Sequence, residues 1–248
     1  MSIAYLLWHG RRRYLTLLVV LIAVGLVRLG LWQLDRHWQR VAQSGVMIER
    51  MSIPPIALAE VLATPVTQRE FRNVRVRGLY ATDGQILWRN REHQGRTGFH
   101  VLTPLVLDDG RAVLVNRGWI SYQDGLNEWQ SQVPPPPGPQ EIVGVWRVSQ
   151  PNTGQVTETP SVAGWREKWF LIDIPAITAQ MPYPLVDGFI DIQPDGTTPA
   201  PDQPIPAATG VIGNGNHLSY AVQWFGFAVI LLVGYVVAIQ RVRRPPNT

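Results

Sequence analysis

The chain has 248 residues, 46% of them hydrophobic, and a formal net charge of +4. Arg11, Arg12 and Arg13 stand near one end and Arg241, Arg243 and Arg244 near the other, whereas the stretch from Gln33 to Ser219 holds 15 basic and all 18 acidic residues. The basic balance is therefore two terminal clusters, which argues against nucleic acid as a partner, and the absence of cysteine excludes disulfides, thiol redox chemistry, a zinc ribbon and a thiolate copper site.

Residues 1–13 read as a basic terminus. Tyr14 to Trp32 is an apolar run broken only by Arg28. Its length matches a bilayer core of about 30 Å at about 1.5 Å per helical residue. The basic start followed by an apolar stretch also resembles a signal peptide, but no small-x-small cleavage site follows, so an uncleaved span is expected. Arg28 lies one turn from Trp32. It can snorkel to the headgroups, or it can partner an anion, since Arg28, Trp32 and Asp35 share a helical stripe.

The helix is expected to continue from Gln33 to about Glu49, burying Leu34, Trp38 and Val41, and to break at Ser52, Pro54 and Pro55. Met47 and Met51 at i, i+4 read as packing and not as a copper site. Ile56 to Ala63 reads as a short helix. Strands are expected at Arg72–Arg77, Gln85–Asn90, Phe99–Leu107, Ala112–Ile120, Glu141–Val148, Trp169–Ile172 and Val186–Gln193, with turns at Asp83-Gly84 and Asp108-Asp109-Gly110. Arg91 to Thr97 reads as a charged loop, and Asn116-Arg117-Gly118 as an irregular strand end with a bulge. Gln130 to Gln140, with its four prolines, reads as an extended linker. Pro175 to Gln180 allows a helical turn or two, and Thr197 to Ala208 reads as a loop.

Tyr220 to Ile239 is a second uncharged stretch long enough to span. The resulting fold class is a membrane protein in which two transmembrane α-helices, 14–32 and 220–239, flank a mainly β (α+β) antiparallel barrel- or sandwich-like domain, 33–219. The arginines outside both spans place residues 1–13 and 240–248 in the cytoplasm by the positive-inside rule, and the β domain in the periplasm. The expected location is the cell inner membrane.

Four motifs in order carry a family resemblance: LGLWQLDRHWQR (Leu29 to Arg40), TGFHVLTPL (Thr97 to Leu105), VNRGWI (Val115 to Ile120) and NHLSYAVQWFGFA (Asn216 to Ala228). Together they resemble the surfeit-locus-protein-one family of assembly factors for haem–copper cytochrome oxidase. The resemblance implies a non-enzymatic role in oxidase biogenesis. The implied partners are catalytic subunit I, other oxidase subunits, haem a synthase and membrane lipid. Haem a would be a transient cofactor. Two alternatives stay open: a protein-only scaffold for subunit I, and a haem-modifying membrane enzyme.

Some bacterial members of that family are thought to hold haem a through the histidine matching His217. Neutral imidazole is a common axial donor, and His217 stands at the mouth of the second span. His9, His37, His93 and His100 are the other histidines, with His37 a less favoured second ligand. His217, Ala221, Trp224 and Ala228 share a stripe, on which two alanines leave room for a flat macrocycle and Trp224 can stack. The same stripe also suits close helix packing. The candidate cofactor residues are His217, Tyr220, Trp224, Arg28, Trp32 and Arg117. Arg117 has three readings: a propionate partner, a partner of Asp35, or an internal ion pair. Gln33 and Arg36 match the family motif and are expected to hydrogen-bond where helix meets domain. No nucleophile elbow and no phosphate loop is present.

Overall fold

A computed structural model describes residues 12–126, 128–154, 164–194, 196, 198–206 and 216–241. His9, Arg11, Arg243, Arg244 and the end of the Thr197–Ala208 loop lie outside the described residues. The elements in chain order begin with α1 (Arg12–Ser52), β1 (Ile56–Ala57), α2 (Leu58–Ala63) and α3 (Val66–Arg69). Four strands follow, β2 (Asn73–Tyr80), β3 (Ile86–His93), β4 (Arg96–Val106) and β5 (Ala112–Ser121). A 3₁₀ turn at Asp124–Leu126, α4 (Trp129–Gln132), β6 (Pro139–Val148) and β7 (Lys168–Trp169) come next. The last three are α5 (Ile174–Thr178), β8 (Leu185–Ile192) and α6 (His217–Arg241).

The chain divides into two compact units. One holds residues 1–46 and 212–248, the other Met47–Val211. Both long helices, α1 and α6, have the length and hydropathy to cross a membrane. Their apolar side chains are largely exposed, Leu21 at 69% and Ile230 at 68%, as suits helices whose solvent is lipid. α1 is one continuous helix through the predicted span and its extension, and it stops before Pro54 and Pro55. The expected buried face of that extension forms only in part, with Leu34 and Val41 half-buried. Trp38 is 60% exposed, and the buried positions are Ser44 and Met47. Between Asp35 and Gln43 polar residues crowd the helix, so three apolar positions do not add up to a contiguous stripe.

In the second unit five strands close into a barrel in the order β2–β6–β8–β5–β4, with β4 returning to β2. Closure rests on Leu79 opposite Val106 and Tyr80 opposite Leu105. The five barrel ladders are antiparallel except β5–β8, which is parallel. This departs from the all-antiparallel expectation because a long crossover carrying β6, β7 and α5 separates those two strands. On the edge away from β5, β4 serves two neighbours. Its first part pairs β3 up to Leu102, and its last residues pair β2. Pro104 falls at this changeover, where a missing N–H disturbs the ladder least.

Leu58, Val61, Val74, Val76, Leu105, Val113, Val115, Trp146, Val186 and Ile190 form one buried cluster that draws on all five barrel strands. Leu114 and Phe189 belong to a second cluster with Trp88, Trp169 and Ile177. β5 is thus buried on both faces, which is why Ala112–Val115 is uninterruptedly apolar.

Several sequence expectations are corrected. Ile56 and Ala57 pair with β2 before the short helix begins. The Arg91–Thr97 loop is mostly strand, with the chain reversing at Gln94-Gly95, both at positive φ (50° and 75°). The proline-rich linker carries α4, whose Trp129 is 2% exposed, and gives way to β6 at Pro139. The helix ends at Gln132, before the prolines, and its Trp129 packs in a buried cluster with Leu87, Phe99 and Ile120. β7 keeps only two residues, paired with β3.

A buried polar chain crosses the barrel wall. Asn116 Nδ2 donates to His100 Nδ1 (3.0 Å) and Asp191 Oδ1 (2.8 Å). Arg147 then bridges Asp191 (3.0 Å) and Glu70 (2.9 Å). Burial, helped by the positive charges of Arg91 and His93, pushes His100 down to about 3. The ring is neutral with its proton on Nε2, because Nδ1 accepts from the amide.

Candidate cofactor site on the helix pair

α1 and α6 run antiparallel, joined at three levels. At one end Thr16 Oγ1 and Tyr235 Oη are 2.5 Å apart. Midway Gly30 meets the Phe225 ring, so closely that a Cβ there would lie 2.6 Å from Cε1. At the other end Gln33 Oε1 is 2.7 Å from His217 Nδ1. Val19, Ala23 and Gly30 on α1, and Ala221 and Ala228 on α6, are buried. The missing side chain of Gly30 allows this approach, and the small residues along the seam work in the same direction.

The Gln33 contact sets the chemistry of His217. A carbonyl oxygen only accepts, so His217 Nδ1 carries the proton, and in the neutral ring the lone pair is on Nε2. An amide oxygen behind an imidazole is the arrangement that fixes tautomer and ring orientation for metal ligation. His217 is half-buried and lines a groove of about 470 Å³ with Trp32, Arg36, Gln39, Arg40 and Gln43. Those α1 residues follow the i, i+4, i+7/i+8, i+11 rule, so one face of the helix supplies the whole opposite wall. Arg36 stands 5.8 Å over the Trp32 ring and donates to Gln39 Oε1 (3.3 Å), while Gln39 Nε2 donates to Asp35 (2.8 Å).

Of the sequence candidates, the groove brings together His217 and Trp32. Tyr220 is exposed, and Trp224 is half-buried with its edge against Phe227. Arg28 is exposed and lines no wall of the groove. Ala221 and Ala228 are 1% and 4% exposed, so the alanine stripe is used in helix packing and is not an open face for a macrocycle.

Arg117 belongs to the barrel unit. It is the extra residue of a bulge, since Val101 opposes Gly118 and Leu102 opposes Asn116. The strand does not end there, as expected, but runs on to Ser121. The buried guanidinium donates to the carbonyls of Val133 (2.9 Å) and Pro134 (2.7 Å), and it forms no ion pair with a carboxylate among the described residues. The ion-pair readings, with Asp35 or within the domain, are not formed among the described residues, and Arg117 instead ties the α4 segment to the barrel. Gly118 takes φ 134°, a conformation that favours glycine, and a Cβ there would strike the Ile205 carbonyl.

The groove residues Arg36, Gln39, Arg40 and Gln43 were not among the candidates for cofactor contact. Their signal was the continuation of the Trp32 stripe above the apolar run, which is visible only when the two helical segments are read as one. His37, one turn above Gln33, has its Nδ1 buried with no hydrogen-bond partner among the described residues.

The chain was compared with known proteins. The model of the SURF1 family matches residues 20–229. An uncharacterized SURF1-like protein of Mycobacterium tuberculosis is 28% identical over 215 residues, covering 82% of this chain and 73% of the relative. A SURF1-like protein of Rickettsia felis is 26% identical over 227 residues, covering 90% and 96%. Surfeit locus protein 1 of Mus musculus is 28% identical over 253 residues, covering 94% and 78%. With a family model matched across both long helices and the barrel between them, the chain belongs to the SURF1 family.

Proposed function

We propose that this protein is a membrane-bound assembly factor of haem–copper cytochrome oxidase that carries haem a transiently on its way to catalytic subunit I. Family membership implies the role in oxidase assembly. The helix pair supports the membrane setting, with the barrel unit periplasmic and both termini cytoplasmic in the inner membrane. One observation carries the cofactor reading: His217 Nδ1 is held by Gln33, which leaves Nε2 as an unprotonated donor beside the groove.

When bound, haem a would supply an iron that accepts a nitrogen donor. His217 would ligate it, and Gln33 would keep the imidazole oriented. Trp32 would offer a flat apolar surface at the groove's lower end. No turnover is assigned to this site. Holding and releasing the group suits a single exchangeable imidazole better than a closed ligand set.

Co-expression with the enzymes of haem a synthesis, purification in mild detergent and a reduced-minus-oxidised spectrum test the reading. The wild type should show a haem a signal. His217→Ala should abolish it, and Gln33→Leu should lower haem affinity by about tenfold or more, the usual effect of removing a partner behind a metal-bound histidine. A silent wild type, with haem a verified in the same membranes, overturns the carrier reading and leaves a protein-only scaffold for subunit I.

A further inference from the structure

The wall of the groove facing His217 has an order of its own. Trp32, Arg36 and Arg40 succeed one another at i, i+4 and i+8 on one face of α1, with Gln39 and Gln43 flanking them. At about 1.5 Å rise per residue the two arginines are about 6 Å apart along the axis. They follow the indole on the side away from the apolar run. From the span upward the groove therefore offers an aromatic plane, an imidazole donor, and then two guanidinium groups with two carboxamides. Arginine is the side chain best matched to carboxylates, through paired N–H donors. The Asp35 carboxylate accepts from Gln39, while Arg36 donates to the Gln39 oxygen and lies over the Trp32 face.

We infer that Arg36 and Arg40 form a seat for the paired carboxylates of the tetrapyrrole, and so set which way round it binds. The inference rests on the haem reading above. A haem held this way points its two propionates up along α1, away from the bilayer, and its opposite, isoprenoid-bearing edge down towards the apolar run. Apolar and charged ends of the ligand then match apolar and charged ends of the groove. Gln39 and Gln43 supply neutral donors for carboxylate oxygens that the arginines do not reach. Release would need only the loss of solvent-accessible ion pairs and one iron–imidazole bond.

The test uses the full chain in a neutral detergent, titrated with ferric protoporphyrin IX and with its dimethyl ester, which keeps iron and ring but lacks both negative charges. Affinity is read from the Soret band, and ligation from its position. The wild type should bind the free acid at least about tenfold more tightly than the ester, as charge-assisted hydrogen bonds support. In Arg36→Gln/Arg40→Gln that preference should fall to about twofold or less, with the Soret position unchanged, because His217 still ligates. Equal binding of acid and ester by the wild type overturns the seat and leaves His217 ligation standing. If neither compound binds, the carrier reading and the seat fall together. If the double variant keeps the acid preference but loses co-purifying anionic phospholipid, the arginines serve a lipid phosphate and the carboxylate assignment is wrong.

Discussion

A single hydrogen atom separates a packed histidine from a metal-competent one, and here two histidines show the difference. His217 has its Nδ1 against a carbonyl oxygen and lines a groove. His100 is the reverse. Its Nδ1 accepts from Asn116, its ring lies edge-on to Trp88, and burial holds its pKa far below that of an ordinary histidine, at about 3. The unfolded chain therefore takes up a proton near pH 6.5 that the folded barrel refuses until about pH 3. Unfolding binds protons across that window, so stability falls as pH drops from about 6.5, by up to about 1.4 kcal/mol per pH unit from this group. Denaturant unfolding of the wild type and of His100→Gln, followed from pH 7 to pH 4, should show a shallower slope in the variant. Parallel slopes would mean that His100 is protonated in the folded barrel.

The helix pair is specified by few contacts, which makes it sensitive at particular positions. Gly30 is the tightest, since any side chain there must displace the Phe225 ring or part the helices. Separation at Gly30 also reaches the Gln33–His217 contact, one turn away. The chain has no cysteine, so pairs can be introduced without background. Thr16→Cys with Tyr235→Cys, treated with a short bis-maleimide in detergent, should cross-link within the chain. Adding Gly30→Leu should cut the yield several-fold. An unchanged yield would show that the two helices are held together elsewhere than at Gly30.

At the scale of the molecule, charge placement and length support the proposed topology. Three arginines outside each apolar segment argue for cytoplasmic termini, and the segment between them is long enough to translocate whatever its own charge. Asp108 is exposed at the β4–β5 turn. Asp108→Cys, labelled on intact spheroplasts with a membrane-impermeant maleimide, should react fully without permeabilisation. Labelling that requires lysed cells would invert the topology and put the groove on the cytoplasmic side.

Much of this fold was legible in the residues because its periods are simple. Two long apolar runs, a β-rich middle and turns at Asp-Gly and Gly follow from local chemistry, and the family motifs pointed to His217 and to Trp32. The sequence by itself determined that the chain has two spanning-length helices, carries no thiol chemistry and keeps its basic charge at its ends. Tertiary structure decided the rest, because each remaining choice depended on a partner distant in the chain. Barrel closure needed β4 to meet β2, and Trp129 needed Leu87 and Phe99 before a proline-rich stretch could pack. The sequence left Arg117 open between a propionate partner and an ion pair, and only the fold showed it donating to the carbonyls of Val133 and Pro134. The proton on His217 was settled by Gln33, 184 residues away, a pairing that no local pattern encodes.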